Sequence, residues 1–168
     1  AVASYLQAFS YQEPLSGIND TVVEDVDRWD LERTLDWCKS GVKQFPGNYD
    51  QHSCIAWGEL LLENHDAAQA AAEETLELAP NNHQASYVLA SVKLAQDELE
   101  DAEVILAELC QEPAAGYHEW FARAACAEKL GRLDSAAEYF QQARQSSQTG
   151  WQSFYAQRHL ARIAVLSR

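Results

Sequence analysis

Residue types in this chain return at a spacing of 34. Ala56, Ala90 and Ala124 stand one period apart, as do Ala68, Ala102 and Ala136, and as do Tyr87, Phe121 and Tyr155. Pro46 and Pro80 share the spacing, and each is followed two residues later by an asparagine, Asn48 and Asn82. A sustained period of roughly 20 to 50 residues is the mark of a solenoid, in which each supersecondary unit buries its apolar face against its neighbours. The period constrains the fold more than any single motif does, because it demands one structural unit that stacks on copies of itself.

Within each period the apolar residues recur at helical spacing in two runs, which predicts a helix-turn-helix unit and an all-α chain. At the N-terminus, Val2, Leu6 and Phe9 suggest a short helix over 1–12, and Pro14 and Gly17 break it over 13–19. Asp20 or Thr21 then caps a segment carrying Val22, Val23, Val26 and Trp29 on one face. A second start is expected at Asp30, opening a stripe of Leu31, Leu35, Cys38, Val42 and Phe45 that Pro46 and Gly47 end. Residues 1–48 therefore read as N-terminal helices with a degenerate first repeat. Three regular repeats follow at 49–82, 83–116 and 117–150. Their helices are expected at 51–63 and 67–78 around a turn at 64–66, at 84–96 and 100–110 around Asp97, and at 117–130 and 134–144 around Gly131. A last helix, over 151–166 within a C-terminal capping segment 151–168, starts one period after Tyr117. Its mixed outer face, with Arg158, Arg162 and Arg168, favours a cap over a truncated fourth unit, and the whole reads as one structural domain.

The segments AEKLGRLDSAAEYFQQA, Ala127 to Ala143, and AAQAAAEETLELAPNN, Ala67 to Asn82, resemble tetratricopeptide repeats. The resemblance covers residues 30–166. It rests on the crossing alanines Ala56, Ala90 and Ala124, the Leu130–Gly131 turn, the second-helix alanines Ala68, Ala102 and Ala136, the aromatic Phe140, and Pro46 and Pro80. Alanine at such sites lets helix backbones approach closely enough for side chains to interdigitate. The chain departs from the pattern at Glu59, Lys93 and Ala127, where the family prefers a large aromatic, and at Arg123, where Ile55 and Leu89 stand in the other repeats. The resemblance implies a right-handed α-solenoid whose first helices line a groove for a peptide or helix of a partner protein. Carried over residue by residue, that groove is lined by Gln84, Tyr87 and Ser91, then His118, Phe121 and Ala125, then Gln152, Tyr155 and His159. Tyr87, Phe121 and Tyr155 would supply one ring per repeat for peptide recognition, or pack between repeats instead. A sub-class of the family clamps C-terminal carboxylates with Lys, Arg and Asn. Here the matching positions hold Ser53, Trp57, Tyr87, Val88, Ser91, His118 and Ala122, so no such clamp is expected.

Charge narrows the partner. With 12 Lys and Arg against 26 Asp and Glu, the formal charge is -14, which disfavours nucleic acid and anionic membranes and leaves a basic protein segment as the charge-matched alternative to simple solubility. No apolar run approaches the roughly 18 residues of a membrane span, so no membrane insertion is expected. The absence of methionine suggests a processed product or a piece of a longer protein. Exposed apolar residues on a terminal helix are also compatible with a homodimer.

Four cysteines, Cys38, Cys54, Cys110 and Cys126, form no CxxC pair and no metal-spaced cluster. They read either as free thiols packed as small hydrophobes or as one or two disulfides, with Cys38 and Cys54 the easier pair. The first reading places the chain in the cytoplasm, the second in an oxidising compartment such as the periplasm. The five histidines, His52, His65, His83, His118 and His159, are dispersed and read as surface or helix-start residues. Acidic groups such as Glu73 with Glu74, or Glu98, Glu100 and Asp101, read as solvated faces and first-turn charges. There is no phosphate loop, nucleophile elbow or metal motif, so neither a cofactor nor an enzymatic activity is expected. The expected function is a protein-interaction scaffold. The alternatives are a chaperone similar to those of bacterial type III secretion, which also combine three repeats with a helical N-terminal cap, and a regulatory part of a larger enzyme.

Overall fold

The computed structural model describes residues 25–113 and 115–167. The helix expected over 1–12, the break after it, the cap at Asp20 or Thr21, and Val22 and Val23 lie outside them. The described residues form eight helices and no strand. These are α1 (Asp25–Gln44), α2 (Tyr49–Leu61), α3 (His65–Leu78), α4 (His83–Ala95), α5 (Leu99–Leu109), α6 (Tyr117–Lys129), α7 (Leu133–Gln145) and α8 (Gly150–Leu166). They divide into two compact units, one ending at Ala95 and one beginning at Gln96.

In the first unit α1 packs on α2, α2 on α3 and α3 on α4, and α2 also touches α4. The second start expected at Asp30 is absent, and α1 runs straight through it. No proline interrupts the segment, and burial of Leu31, Leu35 and Cys38 on one face holds the helix together across a residue that would otherwise cap. Where α1 meets α2, a Cβ on Gly58 would lie 2.5 Å from Leu35 Cδ2, so the missing side chain sets the approach. The Cys38–Cys54 disulfide ties the same two helices. Glu59, an expected departure from the family's aromatic, is buried and neutralised in place. Lys39 Nζ lies 2.6 Å from its Oε1, and Asn64 Nδ2 donates to its Oε2 at 2.7 Å. Burial alone would raise the Glu59 pKa, but these two partners lower it on balance.

The second unit stacks α5 on α6, α6 on α7 and α7 on α8. Its core joins Tyr117, Phe121, Ala124 and Ala127 of α6 to Ala136, Phe140 and Ala143 of α7 and to Ala156 and Ile163 of α8. Arg123, the other departure, is accommodated by charge. Its Nη2 lies 3.2 Å from Glu103 Oε1, and its guanidinium sits 4.3 Å from the centre of the Tyr139 ring. Cys110 and Cys126 are free and buried, and Cys126 Sγ donates to the Leu99 carbonyl at 3.2 Å. Burial pushes both thiols up to about 11, which makes them poor nucleophiles.

The period explains the local geometry. All six crossing alanines, Ala56, Ala90, Ala124, Ala68, Ala102 and Ala136, are completely buried. Asn48 and Asn82 cap α2 and α4, accepting from the backbone N–H of Asp50 at 3.1 Å and of Ala85 at 2.9 Å. The third repeat uses Glu119 instead, whose Oε2 accepts from Gly116 N–H at 2.8 Å. Between paired helices the backbone turns left-handed at Glu63 (φ 61°), Asp97 (φ 60°) and Gly131 (φ 72°), again one period apart. At two of these turns the helix is closed by the long-range bond typical of such an ending: Asn64 N–H donates to Glu59 O and Arg132 N–H to Ala127 O, each at 2.9 Å. The first turn therefore occupies 62–64 rather than the expected 64–66.

Candidate functional site

The residues expected to line a partner groove occupy the first helices of their repeats, and their surroundings differ. On α4, Gln84 is exposed in the first turn, and its Oε1 accepts from Ser53 Oγ at 3.2 Å. Tyr87 is only 4 % exposed, with its ring 5.6 Å from that of Trp57 on α2. Ser91 is completely buried. Ser91 Oγ and Trp57 Nε1 are buried polar atoms with no hydrogen-bond partner among the described residues, a condition that costs on the order of 1–3 kcal/mol each.

In the second unit His118 and Ala125 are partly buried on α6. The His118 ring meets Tyr117 edge-on at 5.3 Å, and burial holds its pKa below the ordinary imidazole value. Phe121 is 5 % exposed and lies among the rings of Tyr117, Phe140 and His159 at 5.3, 5.1 and 5.2 Å. His159 and Phe121 are thus brought into contact from α8 and α6. Gln152 is buried, and its Oε1 accepts from Gln148 N–H at 2.8 Å, closing the turn before α8. Tyr155 keeps part of its ring exposed beside Trp151 at 6.3 Å and Phe154 at 5.9 Å. The three periodic rings therefore differ in surroundings: Tyr87 and Phe121 back the surface from within, and Tyr155 reaches it.

Sequence reasoning misses Glu128 of α6, whose Oε2 lies 3.3 Å from His159 Nδ1 and whose Oε1 lies 2.6 Å from Arg162 Nη2. Its distance from Arg162 is one full period, the signal by which the pair can be found. His52, expected at the surface or at a helix start, is instead buried. Its Nε2 lies 2.8 Å from the Pro46 carbonyl and its Nδ1 2.7 Å from Glu74 Oε2, because it stands at a core-facing position of α2. His65 and His83 do open α3 and α4. Among the described residues no three His, Cys, Asp or Glu side chains converge as metal ligands, and no helix is long and apolar enough to cross a membrane.

No protein-family model and no curated relative matches the sequence. Solved structures do match. A crystal structure titled as that of TTC0263, a thermophilic TPR protein in Thermus thermophilus, aligns at a TM-score of 0.69 and 13 % identity over 95 % of this chain and 89 % of that one. MamA from Desulfovibrio magneticus RS-1 aligns at 0.64 and 16 % identity, covering 99 % of this chain and 96 % of that one. YrrB, described as a TPR protein with an unusual peptide-binding site, aligns at 0.62 and 16 % identity, covering 99 % and 85 %. Together with the buried periodic alanines and the recurrent left-handed turns, these similarities give the chain the all-α helical-repeat fold of the tetratricopeptide-repeat proteins.

Proposed function

We propose that this chain is a protein-interaction module that holds a peptide or helix of a partner protein against the first helices of its repeats. The carrying observation is the contrast among the groove residues. Gln84, His118 and Tyr155 keep polar edges at or near the surface, while Tyr87, Phe121 and His159 lock the backing beneath them. Polar groups fixed on a rigid backing lose little side-chain entropy when a peptide docks. The peptide-binding site named for YrrB supports the same reading. A formal charge of -14 favours a segment with basic residues, and the role assigned is binding without catalysis. The paired Cys38 and Cys54 favour an oxidising compartment over the cytoplasm.

The test is affinity capture with the native chain and with a Gln84→Ala, His118→Ala, Tyr155→Ala triple variant of unchanged helicity, followed by tiled peptides of each captured protein. The reading expects a protein whose binding maps to one short segment and is lost in the variant. Equal capture by both chains would move the binding site off these helices.

A further inference from the structure

The side of α8 turned away from its own core is bare. Trp151 is 70 % exposed, Phe154 56 % and Val165 70 %, and Arg158 and Ala161 between them are exposed as well. At 100° per residue these five lie on one stripe, opposite the buried Ala156 and Ile163. One period earlier, the matching positions on α6 are Trp120, Ala124 and Ala127 for Phe154, Arg158 and Ala161. There α7 covers the face: Trp120 packs 6.0 Å from the Tyr139 ring, and Ala124 and Ala127 share a core with Ala136 and Phe140. The α8 stripe thus keeps the residue character of a helix-receiving face, except that arginine replaces the small residue where two helices cross.

That exception selects the occupant. We propose that the outer face of α8 docks an amphipathic helix of a partner protein, apolar along its seam and bearing an Asp or Glu opposite Arg158. Helix α8 contains Arg158 and Arg162 and no acidic residue, although the chain as a whole is strongly acidic. Glu128 already holds Arg162, whereas Arg158 has no ion-pair partner among the described residues. A helix laid over the stripe strips water from the Arg158 guanidinium, which costs several kcal/mol unless a carboxylate replaces that water. A second copy of α8 is a poor occupant. The antiparallel register that covers the whole stripe from Trp151 to Val165 sets the two Arg158 side chains against each other on the dyad. This surface is separate from the Gln84, His118 and Tyr155 face, so either reading can fail alone.

The test is a display library of amphipathic helical peptides with leucine along the seam and the central seam position randomised, panned on the full chain and on an Arg158→Glu variant. Asp and Glu should be enriched at least about tenfold over Lys and Arg on the native chain, with the preference reversed on the variant. The best acidic peptide, followed by fluorescence anisotropy, should lose binding to a Phe154→Asp variant whose circular dichroism matches the native chain. Failure to enrich any residue at the central position overturns the proposal. So does a native dimer in sedimentation that Phe154→Asp dissolves, which would assign the face to a second copy. Binding to phosphatidylglycerol vesicles that Arg158→Glu abolishes would assign it to a lipid surface and overturn it likewise.

Discussion

The His159 ring of α8 stacks on the Phe140 ring of α7, with centroids 4.6 Å apart and planes 25° from parallel. Phe121 meets the same imidazole edge-on at 5.2 Å, so one titratable ring sits where three helices join. Burial lowers the His159 pKa below its ordinary value, and Glu128 offsets that only in part. A folded-state pKa below the unfolded one means that protons favour the unfolded chain. The stabilising contribution of the neutral ring is whole above about pH 6.5 and is lost as pH falls through and below that value. His118, lowered mainly by burial, acts in the same direction. The melting temperature should fall between pH 7 and pH 5, and His159→Gln should flatten that dependence in thermal scans. An unchanged slope in the variant would show that other groups govern the acid response.

Glu63 and Gly131 share a left-handed backbone position, yet only glycine adopts it without crowding its Cβ. Glu63→Gly should raise stability by up to about 1 kcal/mol, and Gly131→Ala should lower it by about the same amount. Asp97→Gly should gain less, because it also removes the 2.6 Å pair between Asp97 and Lys129 Nζ. Chemical denaturation midpoints at constant slope decide all three.

Alanine normally improves a helix interior over glycine by about 1 kcal/mol. At Gly58 the sign should invert, since the added methyl would run into Leu35 at the contact of α1 and α2. Gly58→Ala should cost about 1–3 kcal/mol. Made in a Leu35→Ala background it should cost much less, giving a measurable coupling in a double-mutant cycle.

The Cys38–Cys54 bond closes a 16-residue separation. Its removal by a Cys38→Ala, Cys54→Ala double substitution should cost about 3 kcal/mol. Thiol titration of the native chain under denaturing conditions should find only Cys110 and Cys126 free. Four titratable thiols in freshly prepared protein would show that the pair is reduced, and would remove the support for an oxidising compartment.

Much of the helical arrangement was legible in the sequence because the solenoid is built from local relationships. An alanine every 34 residues permits one helix crossing, an Asn two residues after a Pro caps the next helix, and Gly131 ends another, so each signal acts within a few turns of itself. The candidate surface was less legible. Helical spacing places Tyr87, Phe121 and Tyr155 on equivalent faces, but the sequence gives no measure of how deeply each ring is covered. That depends on Trp57 against Tyr87, on Phe140 and His159 around Phe121, and on Trp151 and Phe154 beside Tyr155. The sequence by itself determined the repeat, its period and its capping, which are short-range matters of propensity and side-chain size. Only the tertiary structure decided which polar groups are buried and paired. Glu59 with Lys39, Arg123 with Glu103 and Tyr139, and His159 with Glu128 each join residues from different helices, and burial is set by packing that no local window contains.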